Sequence, residues 1–159
     1  MEIVIYILLS VVVGAIFQFI IILFKKDSKP QLEDGEHITY HDNGQMMERF
    51  QVKDGKYNGF GESWYENGQK QMEINHKGGV PHGDNKLWYE NGNKEQEGQY
   101  IDGKQQGAFT FWWENGNKKQ ESNWVDGKLE GALNSWLIDG THSSTVVYQN
   151  GEKVDEKLS

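Results

Sequence analysis

Three glutamates recur along the chain at a fixed interval, and regularly placed carboxylates are the first feature that could do chemistry. Glu73, Glu97 and Glu121 are each 24 residues apart. Two carboxylates that share a proton can act as general acid and general base. If successive copies lie two strands apart, they are separated by roughly 10 Å, twice the spacing of neighbouring strands. That distance is wide for a shared proton and is easily bridged by lysines on intervening strands, so we interpret the series as a solvated charge ladder.

The histidines are the other candidate catalytic or metal-binding residues. His37 and His41 are four residues apart and precede Asp42, a spacing that would place metal ligands on one face of a helix. The Asn-Gly turn that follows favours a strand, so we expect the exposed start of a strand instead. His142 lies beside Ser143, but a Ser-His-acid site cannot be inferred from nearness in sequence. We therefore expect no catalytic residue, no metal and no cofactor.

The composition excludes several classes of partner and site. The formal net charge is −8, and phosphate binding needs clustered Lys and Arg, so a nucleic-acid partner is not expected. Arg49 is the only arginine, which leaves little scope for bidentate phosphate contacts. The protein has no cysteine, which excludes disulfides, thiolate metal sites and a thiol nucleophile.

A repeat of 24 residues accounts for these regular spacings. Three interleaved series keep the interval: an Asn-Gly turn series, a second turn series half a repeat out of phase, and a series of single glycines. The turns of the first series begin at Asn43, Asn67, Asn91, Asn115 and Asp139. The turns of the second series begin at Asp54, Gly78, Asp102, Asp126 and Asn150. The single glycines are Gly59, Gly83, Gly107 and Gly131. Each repeat is therefore one structural unit that stacks on the last.

Each repeat is predicted to be a pair of β-strands. Asn-Gly and Asp-Gly between aromatic-rich runs are strong hairpin signals, because both residues accept positive φ. One period supplies two turns and two strands of about seven residues. A lone hairpin is barely stable in water, so each hairpin depends on its neighbours. We predict an all-β fold, an elongated antiparallel β-meander of about five hairpin repeats with roughly nine or ten strands.

Aromatic side chains form columns at the same interval. Trp64, Trp88, Trp112 and Trp136 recur every 24 residues, with Tyr40 in the first position. Which column faces the interior depends on the turn type, because a slip of one residue exchanges the two faces of a strand. A two-residue Asn-Gly loop places the tryptophans on the face of the glutamate series, whereas a three-residue loop with a bulge reverses the assignment. We favour the two-residue loop because it sorts the apolar residues better.

The repeat resembles a known family. Its pattern Gly-x-x-x-x-Trp-Tyr-Glu-Asn-Gly-x-Lys, followed by Asp-Gly-Lys-x-x-Gly, is similar to the MORN repeat in its bacterial variant form. The best copies are residues 59–70, 83–94 and 107–118, and the first and last copies depart from the pattern at His41 and Leu137. The resemblance implies an elongated, curved antiparallel sheet without enzymatic activity. It also implies relatives that are labelled antitoxin-like in bacteria or act as scaffolds near membranes in eukaryotes.

The N-terminus predicts a membrane anchor. Residues 3–24 carry no charge and are almost wholly apolar. As a helix they would span roughly 33 Å, enough to cross the hydrocarbon core of a bilayer. A cleaved signal peptide is the alternative, with a small-residue site at residues 13–15, but no positive segment precedes the apolar run. Lys25, Lys26 and Lys29 follow it, which predicts that the repeats lie on the cytoplasmic side.

These features divide the protein into a single-pass transmembrane anchor at residues 1–24, a polar linker at 25–36 and a MORN-like β-hairpin repeat domain at 37–159. We interpret the protein as a membrane-anchored, non-enzymatic protein-binding module, of an antitoxin or immunity type that masks a toxin, or one that binds another membrane-associated protein. The alternative is a structural scaffold that self-associates through its sheet edges. Phospholipid binding is less favoured, because the net negative charge repels anionic headgroups.

The tryptophan column is the surface on which a protein partner is expected. Trp64, Trp88, Trp112 and Trp136 either fill space between repeats or form an aromatic stripe that binds a partner, rimmed by the glutamate series. Tryptophan supplies a large contact area at low entropic cost, and repeat proteins commonly bind through such surfaces. The sequence leaves both interpretations open.

Overall fold

The computed structural model describes residues 32–158. Within them the polypeptide forms one antiparallel sheet of 13 strands. The strands are β1 (Gly35–Tyr40), β2 (Met46–Lys53), β3 (Lys56–Tyr57), β4 (Gly59–Trp64), β5 (Lys70–Lys77), β6 (Val80–Trp88), β7 (Lys94–Ile101), β8 (Lys104–Trp112), β9 (Lys118–Val125), β10 (Lys128–Leu129), β11 (Gly131–Trp136), β12 (His142–Gln149) and β13 (Glu152–Leu158). Residues 32–158 contain no helix that could span a bilayer. The predicted anchor at residues 3–24 lies outside the described residues.

Strands that follow one another in the sequence are neighbours in the sheet, so the predicted all-β antiparallel meander is confirmed. The short strand β3 pairs with β2 just before β4 begins, and β10 pairs with β9 just before β11 begins. Apart from these two, the sheet has eleven strands in sequence, one more than the largest number predicted, because ten turns separate eleven strands. β1 begins at Gly35, inside the predicted linker.

The second turn series has the two-residue geometry of a hairpin. Asp54 (φ 53°) and Gly55 (φ 67°) both adopt positive φ, and the corresponding residues of the other turns do the same. Two successive positive φ angles define the type I′ turn, whose twist matches that of the flanking strands. Asp and Asn tolerate this conformation better than most other residues with a side chain, which explains their recurrence at these positions.

The Asn-Gly series folds differently, and the two-residue loop predicted for it is wrong. In the turn at residues 65–69 only Gly68 has positive φ, of 82°. The Gly68 amide donates to the Tyr65 carbonyl (2.9 Å), and the Tyr65 amide donates to the Gln69 carbonyl (2.9 Å). These bonds define a three-residue loop, a type I turn closed by a glycine bulge. The Asn67 side chain holds this loop, because its Oδ1 accepts from the Gln69 amide at 2.8 Å.

A second bulge preserves the predicted faces. Trp64 pairs with Lys70, but Ser63 pairs with Met72, so Gln71 is one extra residue in β5. The same irregularity accompanies the other turns of the Asn-Gly series. The extra residue in the loop and the extra residue in the strand offset each other. The tryptophans therefore share a face with the glutamate series, as predicted, and the three-residue loop does not reverse the assignment.

The single glycines mark a third irregularity, for which the sequence suggested no role. Gly83 (φ 99°) lies in β6 between Pro81, which pairs with His76, and Asn85, which pairs with Ile74. Three residues of β6 thus oppose one residue of β5. The other members of the glycine series also have positive φ. Two extra residues leave the faces of the strand unchanged, while a bulge increases its local bend and twist.

Apolar packing is concentrated on the face opposite the tryptophans, which we call the core face. Phe109 is the only fully buried large side chain among residues 32–158. Its ring contacts Tyr100 (centroids 5.4 Å apart) and Trp124 (6.3 Å), both edge-on. It also lies over Gly98, where an added Cβ would be 2.4 Å from a ring carbon. Phe109 thus depends on the absence of a side chain in the neighbouring strand.

Gly98→Ala should destabilise the sheet. The φ angle of Gly98 is not positive, so the effect is steric: the new methyl group must displace the buried Phe109 ring. We expect a loss of about 1–3 kcal/mol in the free energy of unfolding, measured by urea denaturation. The loss should be smaller in a Phe109→Leu background, since Leu133 occupies the equivalent position one repeat later. An equal loss in both backgrounds would contradict the steric explanation.

Candidate binding face

The four predicted tryptophans lie in one row on the face opposite Phe109, which we call the tryptophan face. Trp64, Trp88, Trp112 and Trp136 end β4, β6, β8 and β11, and each is half-buried. Successive tryptophans lie two strands apart, which corresponds to roughly 10 Å. The structure therefore brings the predicted aromatic residues together on one surface and leaves part of each accessible.

A ladder of side-chain hydrogen bonds positions the backbone of these tryptophans. Each donor bonds the backbone carbonyl of the tryptophan 23 residues further along the sequence. The contacts are His41 Nε2–Trp64 O (2.8 Å), Tyr65 Oη–Trp88 O (2.8 Å), Tyr89 Oη–Trp112 O (2.8 Å) and Trp113 Nε1–Trp136 O (3.1 Å). Burial, together with the charges of nearby glutamates, raises the pKa of Tyr89, which keeps its hydroxyl protonated as a donor.

The asparagines of the turns form a second ladder. Each side-chain amide donates to the backbone carbonyl of the residue 23 positions on. The bonds are Asn43 Nδ2–Glu66 O (2.7 Å), Asn67 Nδ2–Glu90 O (2.9 Å), Asn91 Nδ2–Glu114 O (2.9 Å) and Asn115 Nδ2–Ile138 O (2.7 Å). The Oδ1 atom of the same asparagine closes its own turn. Asparagine can do both because it has a donor and an acceptor, whereas an ionised aspartate has acceptors only.

The two ladders explain where the repeat departs from its own pattern. His41 keeps an N–H donor at the position of the tyrosines and bonds Trp64. The side chains of Leu137 and Asp139 have no hydrogen-bond donor. Asp139 still closes its own turn, since its Oδ1 accepts from the Thr141 amide at 2.8 Å. The two side-chain ladders are therefore directional, because each of their donors bonds a carbonyl of the next repeat.

At the other end of the sheet, Asp34 takes the place of a preceding repeat. In a later turn the Gly79 amide donates to the Tyr57 carbonyl of the repeat before it, at 2.8 Å. The equivalent Gly55 amide instead donates to Asp34 Oδ1, at 3.0 Å. Hydrogen bonds from the amides of Gly55 and Asp54 hold the pKa of Asp34 below its usual range. Asp34 is thus an end cap for the first hairpin.

Each predicted glutamate is paired with a lysine of its own strand. The pairs are Lys70–Glu73 (2.5 Å), Lys94–Glu97 (2.6 Å) and Lys118–Glu121. Residues three apart in a regular strand face opposite sides, but the bulge residue between them turns both side chains to the tryptophan face. The lysines that pair with the glutamates therefore lie in the same strand as their partners, whereas we expected them on the intervening strands. The three carboxylates are not free acidic groups.

A row of mixed charges crosses the tryptophan face beside these pairs. Register neighbours in successive strands are Arg49, Glu62, Glu73, Lys86, Glu97, Thr110 and Glu121. Glu62 is 7% exposed and accepts from both Arg49 and Lys70, the latter at 3.0 Å. Hydrogen bonds to Glu73 and Glu62 raise the pKa of Lys70, although burial opposes this shift. Positive and negative side chains thus offset each other on this face, although the whole protein is acidic.

The lysine ammonium groups also lie close to the indole rings. Lys94 Nζ is 5.3 Å from the ring centre of Trp112, and Lys118 Nζ is 5.4 Å from that of Trp136. A cation–π contact of this kind contributes roughly 0.5–1 kcal/mol at an exposed site. Each of these lysines therefore connects a glutamate of its own strand to a tryptophan of the next hairpin.

Three of the histidines make structural contacts. His37 Nε2 bonds the Glu33 carbonyl at 2.7 Å, while His41 belongs to the ladder. The His76 ring packs against Tyr57, and burial lowers the pKa of His76. Within residues 32–158 no group of three or more His, Asp or Glu side chains is arranged to hold a metal ion.

A known protein family shares this repeat. The sequence model of a family described as the MORN repeat variant matches residues 33–54, 61–77, 81–102 and 105–126, more than half of the protein. The chain belongs to the MORN repeat variant family. MORN repeats are generally non-enzymatic modules that often bind proteins or membranes. A comparison with curated proteins found no match.

The last MORN copy lies outside the matched stretches, although β11 and β12 repeat the pairing of the earlier copies. It is also the copy whose ladder positions carry Leu137 and Asp139. The copy that the family model does not match is thus also the copy that lacks the ladder donors.

Sequence reasoning missed the ladder donors, although a signal was present. It assigned the asparagines to turn geometry alone, and both Asn-Gly and Asp-Gly serve that purpose. Two columns lose their donor in the same final copy, at Leu137 and Asp139, which indicates a contact between repeats. No such signal marks Glu62, because the equivalent positions in the next two copies are Lys86 and Thr110.

Asn91→Asp should weaken the junction between two repeats, whereas Asp139→Asn should change stability little. The new carboxylate can still close its own turn, as Asp139 does, but it cannot donate to the Glu114 carbonyl. We expect a loss of about 1 kcal/mol in the free energy of unfolding. Urea denaturation at high salt is the measurement, since salt screens the added charge. Equal effects at the two positions would contradict the ladder.

Proposed function

We propose that this MORN protein is a non-enzymatic protein-binding module whose binding surface is the tryptophan face. The observation that carries the proposal is the row of four half-buried tryptophans on the face opposite Phe109. A tryptophan column that served only to fill the core would be expected to lie with Phe109. Partly accessible aromatic side chains on a rigid surface are typical anchors of protein interfaces.

The backbone beneath this face is fixed before any partner binds. The carbonyls of Trp64, Trp88, Trp112 and Trp136 each accept a ladder hydrogen bond from the preceding repeat. A preorganised surface loses less conformational entropy on binding, which leaves more of the contact energy as affinity. The sheet therefore offers a regular series of aromatic anchors.

The charges of the tryptophan face suit a surface that becomes covered. Glu73, Glu97 and Glu121 are already paired with lysines. Burying an unpaired charge is expensive, whereas internally paired charges leave fewer unsatisfied groups beneath a partner. A polar depression on the same face, lined by side chains that include Lys86 and Thr110, offers partners for polar groups. We assign the tryptophans to the centre of the contact and the three glutamates to its border.

The proposed partner is a protein at the cytoplasmic surface of the membrane. It is either a toxin that the module masks, in the manner of an antitoxin or immunity protein, or another membrane-associated protein. Support for the location comes from the apolar residues 3–24 and the lysines at 25, 26 and 29 that follow them. Membership of the MORN family supports a binding role in general.

A self-assembling scaffold is the second candidate. The observation that favours it is the edge strand β13, in which every residue is exposed, because free strand edges can pair with other copies. The ladders argue against it: Leu137 and Asp139 offer no donor to a following copy, and Asp34 already caps the first hairpin. Phospholipid recognition has the least support, given the net charge of −8.

Replacing both Trp88 and Trp112 with serine should abolish co-purification of the partner and leave the strand content intact. Each interface tryptophan of this kind contributes about 2 kcal/mol or more to binding. Tyr148 lies on the core face, two residues after Val146, which pairs with Leu133. Tyr148→Ser is therefore the matched control, because it truncates an aromatic side chain on the other face and should retain the partner. Mass spectrometry identifies the co-purified protein, and circular dichroism measures the strands. Unfolding of the double variant would assign the column to the core and refute the proposed surface.

The proposed topology predicts that the repeats are protected from protease added outside intact cells. Residues 37–159 should be cleaved only after the membrane is permeabilised, because the positive flank of the anchor stays inside. Digestion of the repeats before permeabilisation would refute the cytoplasmic location.

A further inference from the structure

Six Asn-Gly dipeptides occur in the sequence, and their asparagine side chains are held to different degrees. Those at Asn43, Asn67, Asn91 and Asn115 make two hydrogen bonds each in the ladder. Asn58 accepts one bond, from the Gly78 amide at 3.1 Å. Asn150 is exposed, and its side chain makes no hydrogen bond within residues 32–158. Only its backbone amide is bonded, to Glu130 Oε2 at 2.8 Å.

We propose that Asn150-Gly151 is the site at which this protein deamidates first, and that the asparagine ladder protects the other turns. In this reaction the backbone nitrogen of Gly151 attacks Cγ of Asn150 and forms a new C–N bond. The bond between Cγ and Nδ2 breaks, and ammonia leaves with the proton of the attacking nitrogen. One water then opens the resulting succinimide at either carbonyl, which yields aspartate or isoaspartate. Glycine favours the attack because it has no Cβ to hinder the nitrogen.

The ladder protects an asparagine by holding both ends of its side-chain amide. Asn91 Nδ2 donates to the Glu114 carbonyl, and its Oδ1 accepts from the Asn93 amide. The amide group can rotate toward the attacking nitrogen only if both bonds break, which requires local opening of the turn. The Gly151 nitrogen is itself bonded, to the Leu129 carbonyl at 2.9 Å. Asn150 therefore differs from the ladder asparagines in two respects. Its side chain is not hydrogen-bonded, and it lies beside the edge strand β13.

The two products have different consequences for the turn. Aspartate fits, because Asp54, Asp102 and Asp126 occupy the equivalent position with φ angles of 53°, 47° and 53°, and Asn150 has φ 53°. Isoaspartate routes the backbone through Cβ, and the added atom is incompatible with a two-residue type I′ turn. Its formation releases β13 and exposes the edge of β12, where Val146 and Val147 favour strand pairing. Asn150 is thus a site at which chemical ageing opens one end of the sheet.

Timed incubation of the purified full-length protein at mildly alkaline pH tests this proposal. Peptide mapping by mass spectrometry measures the mass gain at each asparagine, and chromatography separates the isoaspartate peptide. We expect Asn150 to react at least about tenfold faster than any ladder asparagine, with Asn58 between them, because the ladder positions must wait for local opening. In denaturant the six sites should react at similar rates.

Asn150→Asp is the matched control, because it removes the reactive amide and keeps a side chain that the turn accepts. Hydrogen exchange of the β12 and β13 amides should remain protected in this variant during incubation. In the unmodified sequence, protection of β13 should fall in proportion to the isoaspartate formed. A ladder asparagine that reacts as fast as Asn150 in the folded protein would overturn the proposal, as would full protection of β13 in the isoaspartate fraction. The outcome does not depend on the proposed binding role.

Discussion

A sheet that stands as a single layer cannot hide its apolar side chains between two packed surfaces. Among residues 32–158 only Val52 and Phe109 are buried apolar side chains. Neighbouring repeats must therefore hold one another by directional contacts as well as by burial. The Asn-Gly turns supply these contacts, since an aromatic side chain and an asparagine in each turn bond backbone carbonyls of the next repeat. Each bond contributes about 1 kcal/mol, in addition to the backbone hydrogen bonds that pair the strands.

Because all ladder bonds run in one direction, the two ends of the stack are chemically different. Side-chain donors are absent at Leu137 and Asp139. At the other end Asp34 accepts a hydrogen bond from the Gly55 amide, whereas the equivalent amides of later turns donate to the preceding repeat. Both ends therefore differ from the junctions between the inner repeats.

The bulges connect the ladders to the proposed binding surface. One extra residue between Lys70 and Glu73 turns both side chains toward the tryptophans, so that a charge pair and an aromatic row share a face. Without the bulge, the lysine would point to the opposite side of the sheet from its glutamate. The tryptophan face is therefore a product of turn chemistry, and it combines rigidity, balanced charge and accessible aromatic area.

The sequence by itself determined the repeat, the fold class and the family, because hairpin signals depend on residues that are adjacent along the polypeptide. It also predicted the correct faces from a wrong turn type, since the added loop residue and the bulge at Gln71 shift the register by equal amounts. Only the tertiary structure decided the direction of the ladders, the end cap at Asp34 and the burial of Glu62. These three features depend on contacts between residues that are 13 to 23 positions apart in the sequence and meet only when the strands pair. Residue types set what such a contact can be, but the three-dimensional register selects which contacts form.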